Sequence, residues 1–229
     1  MRERLKEYVP YYCEENIWRL LSGAGSGSGA GSGSGTGSGS GTGTGSGAGE
    51  TVGADKTAAW AVLVFGRGPS FAMFHQRAGR PGDGLVFWDY HAVALVFTAE
   101  DGGAVLDFDT DLGWRVPASA YLEASFGAVG AEHPAAPVFR LLDGDTYVRR
   151  FFSDRSHMRE PDGSWLAPPP PWPHPGFGLP EEEGWPLAAL LDPRRTEPGE
   201  LLDLAGLRSF VGTLDSNRSV PCRFPPNPL

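Results

Sequence analysis

Val86-Phe87-Trp88-Asp89-Tyr90-His91-Ala92-Val93-Ala94-Leu95-Val96-Phe97-Thr98 is the longest strand signal in the chain. Aromatic and β-branched residues dominate it, and no Gly or Pro interrupts it. Side chains alternate across a sheet, so His91 is expected on one face with Asp89, Val93 and Leu95, and Trp88, Tyr90 and Ala92 on the other. Glu100-Asp101-Gly102-Gly103 then reads as a hairpin turn and Val105 to Asp109 as the returning strand. Asp107 and Asp109 share one face of that strand. Closing the hairpin across Asp101-Gly102 brings one of these carboxylates to His91, and register within two residues decides which.

Further strands are expected at Trp60 to Phe65 and Phe71 to Phe74, around the turn Gly66-Arg67-Gly68-Pro69, and at Val138 to Leu142. Gly79-Arg80-Pro81-Gly82-Asp83-Gly84 is a loop dense in turn residues. Helices are expected at Ala118 to Phe126 and Leu201 to Val211, with a helical turn at Thr146 to Phe152. Beyond Ser156 the chain is Pro-rich, with Pro168 to Pro171 as extended backbone. Near the start, Glu14 to Leu21 reads as a short helix, since Ile17, Leu20 and Leu21 share a face. The fold class is α+β with a mostly antiparallel sheet.

Between that helix and the first strand, Gly23 to Gly49 is almost pure Gly alternating with Ser, Ala or Thr. Such a tract has no side chains to offset its ordering entropy and reads as a flexible tether. Three parts follow: residues 1–22 with the cysteine-bearing helix, an insertion over 23–57, and 58–229 as the remainder of the same catalytic domain.

The chain has 229 residues, 33 Gly and 21 Pro, and a net charge of −9 with a pI near 5.0. That balance argues against nucleic acid or an anionic membrane as partner, and suits a cationic group such as a peptide α-ammonium. No apolar run reaches membrane-span length and no signal-peptide core follows Met1. The two cysteines, Cys13 and Cys222, do not make a disulfide framework, which points to a reducing compartment; a Cys13–Cys222 bridge is the minor alternative.

The pairing of Cys13 with His91 and a carboxylate raises nucleophilic chemistry. A histidine beside a carboxylate is an oriented base, and a thiol at a helix start meets unpaired N–H groups. Each residue also has a plainer reading: Cys13 as a small buried hydrophobe, His91 as a satisfied sheet histidine, the aspartates as strand-end caps. No close-spaced ligand pair supports a metal.

The words around these residues narrow the choice. Tyr12-Cys13-Glu14-Glu15-Asn16-Ile17-Trp18, Ala78 to Gly84, Trp88-Asp89-Tyr90-His91, Phe152-Ser153-Asp154-Arg155-Ser156-His157-Met158 and Gly163-Ser164-Trp165, in that order, resemble the protein N-terminal glutamine amidohydrolases. The resemblance covers Tyr11 to about Trp172 apart from the Gly/Ser tract. It implies a papain-like core, with the antiparallel sheet packed against the Cys helix. It implies Cys13 as nucleophile, His91 as base and Asp107, rather than Asp109, as the third member. The implied reaction is deamidation of the N-terminal glutamine of proteins or peptides to glutamate through a γ-glutamyl thioester. Neither metal nor cofactor is required. The implied setting is a monomer in the cytosol or nucleus, feeding the degradation pathway in which N-terminal glutamate is arginylated.

Further expectations attach to that chemistry. The Cys13 backbone N–H is the expected oxyanion donor, and Glu14, Glu15, Asp89 and Asp154 are the candidates to bind the substrate's α-ammonium. Because a nearby anion raises a thiol's pKa, the Glu14 and Glu15 carboxylates are expected to face away from the sulfur or bind a cation. The helix is expected to stop near Leu21. Two rivals stand beside this reading: another Cys-His-Asp acyl-transfer enzyme of peptidase or transglutaminase type, and a non-catalytic binder of N-terminal peptides.

Overall fold

The computed structural model describes residues 8–24 and 58–216. Cys222 and all but the first two residues of the Gly/Ser tract lie outside these, as do the bridge and the tether expected of them. The strand signal at 86–98 folds as two strands, β3 (Val86–Trp88) and β4 (Tyr90–Thr98), broken at Asp89. β4 pairs with β1 (Ala58–Gly66) on one side and β5 (Gly102–Leu106) on the other, while β3 pairs with β2 (Phe71–Met73) in a separate ribbon. β6 (Arg115–Pro117) flanks β5, and β7 (Pro137–Asp143) flanks β1. β10 (Glu200–Leu202) completes an antiparallel sheet of order β10-β7-β1-β4-β5-β6. The residues 201–211 expected as a helix thus begin as a strand, and the helix follows as α5 (Leu204–Ser216).

Period-2 alternation splits the core into two layers, one on each face of the sheet. Val62, Val64, Val93, Leu95 and Val105 pack with Tyr121, Leu122 and Phe126 of α2 (Ala118–Phe126) and with Leu207 and Val211 of α5. Ala61, Leu63, Ala92, Ala94 and Leu106 face α1 (Cys13–Ala24) through Ile17 and Leu21, α3 (Gly144–Arg150) through Tyr147, and α4 (Leu187–Leu190). Small alanines on β1 and β4 let α1 lie close to the sheet, so its first residue arrives beside β4. α1 begins at Cys13 itself and extends three residues beyond the expected end at Leu21. A minor ribbon pairs β8 (Phe151–Phe152) with β9 (Trp185–Pro186) in parallel. Among the described residues, no helix is long and apolar enough to cross a membrane.

One tie fastens the C-terminal part to the sheet. Arg140 of β7 is fully buried and donates to the carbonyl oxygens of Leu190, Asp192, Arg195 and Pro198. These carbonyls belong to the last turn of α4 and the loop that follows it, so the guanidinium supplies donors that backbone pairing does not.

Candidate active site

The β4–β5 ladder ends at Ala94↔Leu106. Beyond Leu106 the chain turns to residues 75–77: the Arg77 N–H donates to the Asp109 carbonyl at 2.8 Å, the Asp111 N–H to the His75 carbonyl at 3.0 Å, and Gln76 bridges Thr110. Residues 75–77 are in turn held by the glycine-rich loop. His75 and Gln76 N–H groups donate to the Asp83 and Gly84 carbonyls, and Arg80 pairs with Asp83. A Cβ on Gly79 would lie 2.2 Å from the Gly84 carbonyl oxygen, so this closure demands glycine there.

The bend delivers Asp107 to His91. Asp107 Oδ1 lies 2.9 Å from His91 Nε2 and accepts the Asp109 N–H at 2.9 Å; Oδ2 accepts the Tyr121 hydroxyl at 2.7 Å and Gln76 Nε2 at 3.4 Å. Both His91 and Asp107 are 1% exposed. Burial favours the neutral form of each, but the mutual charge and hydrogen bond prevail. His91 is held above its ordinary pKa, with Asp109 and Glu14 adding, and Asp107 is held below its own. The Trp88 ring stacks on His91 at 5.6 Å. Strand alternation had set Trp88 and His91 on opposite faces; the break at Asp89 resets the phase and brings them together.

Cys13 opens α1 and is partly exposed, with its sulfur set against the β4 backbone, where the N–H groups of Ala92 and Glu14 act on it. Cys13 and His91 border one cavity of about 540 Å³, with Tyr8, Trp88, Asp89, and Asp109 among the other walls. Burial pushes the thiol well above its ordinary pKa, and the charges of Glu14 and Asp109 push it further. Both effects favour the thiol over the thiolate.

Every residue after the cysteine in the Cys-Glu-Glu-Asn word is buried and committed. Glu15, 0% exposed, receives both arms of Arg155 at 2.7 and 2.8 Å and the Trp172 indole N–H at 2.9 Å. Asn16 exchanges two hydrogen bonds with the Val9 backbone, pinning the segment that carries Tyr8. Glu15 thus binds a cation, as expected. Glu14 does not face away. Its Oε2 lies 3.7 Å from the Cys13 sulfur, which donates to it, and 2.9 Å from the Tyr90 hydroxyl. The side chain points inward because α1 packs its first turn on β4, where Tyr90 stands. Burial raises Glu14 to about 7, and its Oε1 finds no hydrogen-bond donor among the described residues. His157 Nε2 approaches Oε1 at 3.5 Å, but burial outweighs the surrounding acids and holds that imidazole below its ordinary pKa, so the contact is weak.

The other two α-ammonium candidates both line a second cavity, and Asp89 borders the Cys13 cavity as well. Asp89 is exposed on the Cys13 cavity and accepts the Tyr90 N–H at 2.8 Å. Asp154 lines a neighbouring cavity of about 370 Å³ and accepts the Ser156 N–H, which makes it a turn cap. Residue patterns did not single out Tyr8, Gln76 or Tyr121 for the site, because each arrives from an element whose packing is set by distant chain segments; Asp109 stood there only as the alternative partner of His91. Among the described residues, His91, Asp107 and Asp109 bring ligand atoms within 4.8 Å of one another. His91 Nε2 and Asp107 already face each other, and Asp109 Oδ1 accepts the Tyr8 hydroxyl at 2.5 Å, so a metal would have to displace these bonds.

Known proteins resemble this chain over most of its length. Proteins named protein N-terminal glutamine amidohydrolase, from Drosophila ananassae, Drosophila virilis and Drosophila mojavensis, are each 32% identical over 169 residues. Those residues are 72% of this chain and 70% of each relative. The NMR structure of protein-glutaminase from Chryseobacterium proteolyticum is 18% identical, with a TM-score of 0.25 over 48% of this chain and 51% of that one, too distant a likeness to bear on fold or chemistry. The sequence profile described as N-terminal glutamine amidase matches residues 8–183, which hold all the cavity residues named above, and the chain belongs to that family.

Proposed function

We propose that the protein hydrolyses the side-chain amide of a glutamine at the N-terminus of a protein or peptide, leaving N-terminal glutamate and ammonia. The observation that carries this reading is the commitment of His91 Nε2 to Asp107 at 2.9 Å while His91 and Cys13 border one cavity. With Nε2 taken, Nδ1 is the ring nitrogen left for the thiol, and Asp107 fixes ring orientation and tautomer.

In this mechanism His91 removes the thiol proton and the sulfur attacks the amide carbon. The C=O electrons move onto oxygen, where the Cys13 N–H in the first turn of α1 is a donor. The intermediate collapses as His91 returns its proton to the departing nitrogen, releasing ammonia and leaving a γ-glutamyl thioester. His91 then takes a proton from water, hydroxide adds to the thioester carbon, and the C–S bond breaks to give the carboxyl and the thiol. Nucleophile, base and oxyanion donor suffice, with no step left to a metal. The core reads as papain-like: a nucleophile opening a helix that packs on an antiparallel sheet, with the base on a strand of that sheet. The glutamate product fits the arginylation and degradation role that the family resemblance implies.

Ammonia release from a Gln-leading peptide, set against the same peptide N-acetylated, tests the reading. The free peptide should turn over, the acetylated one should not, and Cys13→Ala should abolish release. Release that survives Cys13→Ala would end the thiol mechanism.

A further inference from the structure

Most acids near the Cys13 sulfur are already committed. Asp107 is engaged by His91, Tyr121, Gln76 and the Asp109 N–H. Glu14 is fully buried between the thiol and Tyr90. Asp89 is exposed, so water serves its charge as well as any ligand would. Asp109 differs. It is half-buried in the cavity wall, its Oδ1 is fixed by the Tyr8 hydroxyl at 2.5 Å, and among the described residues no Arg, Lys or His forms an ion pair with it. Its second oxygen meets no described donor. The nearby base, His91, is already paired to Asp107, so Asp109 keeps an oxygen for a cation that a ligand brings.

Resting on the activity proposed above, we propose that Asp109, posed by Tyr8, receives the α-ammonium of the substrate's first residue and so restricts the reaction to N-terminal glutamine. The spans agree. A glutamine's amide carbon and α-nitrogen are four bonds apart, roughly 5 Å when extended. Ligand atoms of Asp109, His91 and Asp107 lie within 4.8 Å of one another. Asp109 lines the same cavity as Cys13 and His91, so a glutamine with its amide carbon at attack distance from the sulfur, about 3–3.5 Å, and its leaving nitrogen toward His91 extends its ammonium within the walls that include Asp109. An acylated or internal glutamine brings no cation and leaves that carboxylate desolvated and unpaired, which a site of this kind rejects steeply. The ammonium also offsets a negative charge that holds the thiol protonated, so binding favours ionisation of the nucleophile.

The test compares a Gln-leading peptide with its des-amino analogue, the 4-carbamoylbutanoyl peptide, in the parent protein, Asp109→Asn and Tyr8→Phe. The parent should prefer the amine-bearing peptide by about 10²-fold or more in kcat/KM. Asp109→Asn should lower turnover of that peptide far more than that of the analogue, collapsing the ratio. Tyr8→Phe should give an intermediate ratio. A ratio retained in Asp109→Asn, whatever the absolute rates, overturns the proposal and leaves the amidohydrolase reading intact. Should Asp109→Asn fail to fold, an unchanged ratio in Tyr8→Phe overturns it instead. A parent that releases no ammonia sinks the activity; calorimetry on the Cys13→Ala protein then decides the subsite. An amine preference in binding that vanishes with Asp109→Asn supports Asp109 as receptor, and equal binding of both peptides rejects it.

Discussion

His91 Nε2 lies 2.9 Å from Asp107 Oδ1, although the β4–β5 register, continued past its last pair, would set Asp109 opposite His91. Each pair in that ladder sums to 200, as in Ala94↔Leu106, and 91 + 109 gives the same sum. The pairing that forms instead depends on the chain leaving β4 after Leu106 for the strip at 75–77. The backbone N–H of Ala92, past the last pair of that ladder, acts on the Cys13 sulfur.

Asp107→Asn keeps the shape and removes the charge that orients His91 and raises its basicity. The kcat/KM for a Gln-leading peptide should fall by about 10³-fold or more. His91 is raised in the folded state, so its contribution to stability is lost as pH rises through its folded pKa. Asp107 is lowered, so its contribution is lost as pH falls through its own. The parent should show a stability plateau between these limits that is absent in the variant, as read by melting temperature against pH.

Glu14 makes the opposite prediction. Its pKa is raised by burial from 4.5 to about 7, so the folded state binds the extra proton and stability falls as pH rises across that window. Glu14→Gln should therefore be more stable than the parent above pH 7, by on the order of 3 kcal/mol at most, with the gap closing toward pH 4.5. Removing that anion should also let iodoacetamide alkylate Cys13 at lower pH than in the parent. An alkylation profile that does not move would show that Glu14 leaves the thiol's ionisation alone.

Arg155 clamps Glu15 across the start of α1. Arg155→Ala leaves a buried carboxylate with only the Trp172 N–H, and should cost about 3–5 kcal/mol in urea unfolding. Adding Glu15→Gln removes the stranded charge and should recover part of that loss. Strictly additive losses in the double variant would mean that the two side chains act separately.

Arg140→Met strips donors from the carbonyls of Leu190, Asp192, Arg195 and Pro198. A loss of about 3 kcal/mol or more is expected, since several buried acceptors go unsatisfied at once. The site lies elsewhere on the sheet, so the Cys13 alkylation rate in the folded variant should match the parent. A large change in that rate would tie the C-terminal loops to the cavity.

Residue order alone carried much of this molecule. Near-continuous apolar runs specified β1, β4 and β7, and the helix over 118–126 was legible in full, because a strand covered on both faces is apolar throughout and such runs are local features of the chain. The words around Cys13, His91 and Asp107 identified a family. Tertiary structure decided what spacing left open. The break at Asp89 stacked Trp88 on His91, a distant strip of backbone captured residues 107–111, and burial turned Glu14 toward the sulfur. Asp109 and Tyr8 reached the cavity the same way, as Tyr121 and Gln76 reached Asp107. The physical reason is one of range: pattern and propensity act within a few residues, whereas the partner of a buried charge is chosen by whichever remote segment packs against it.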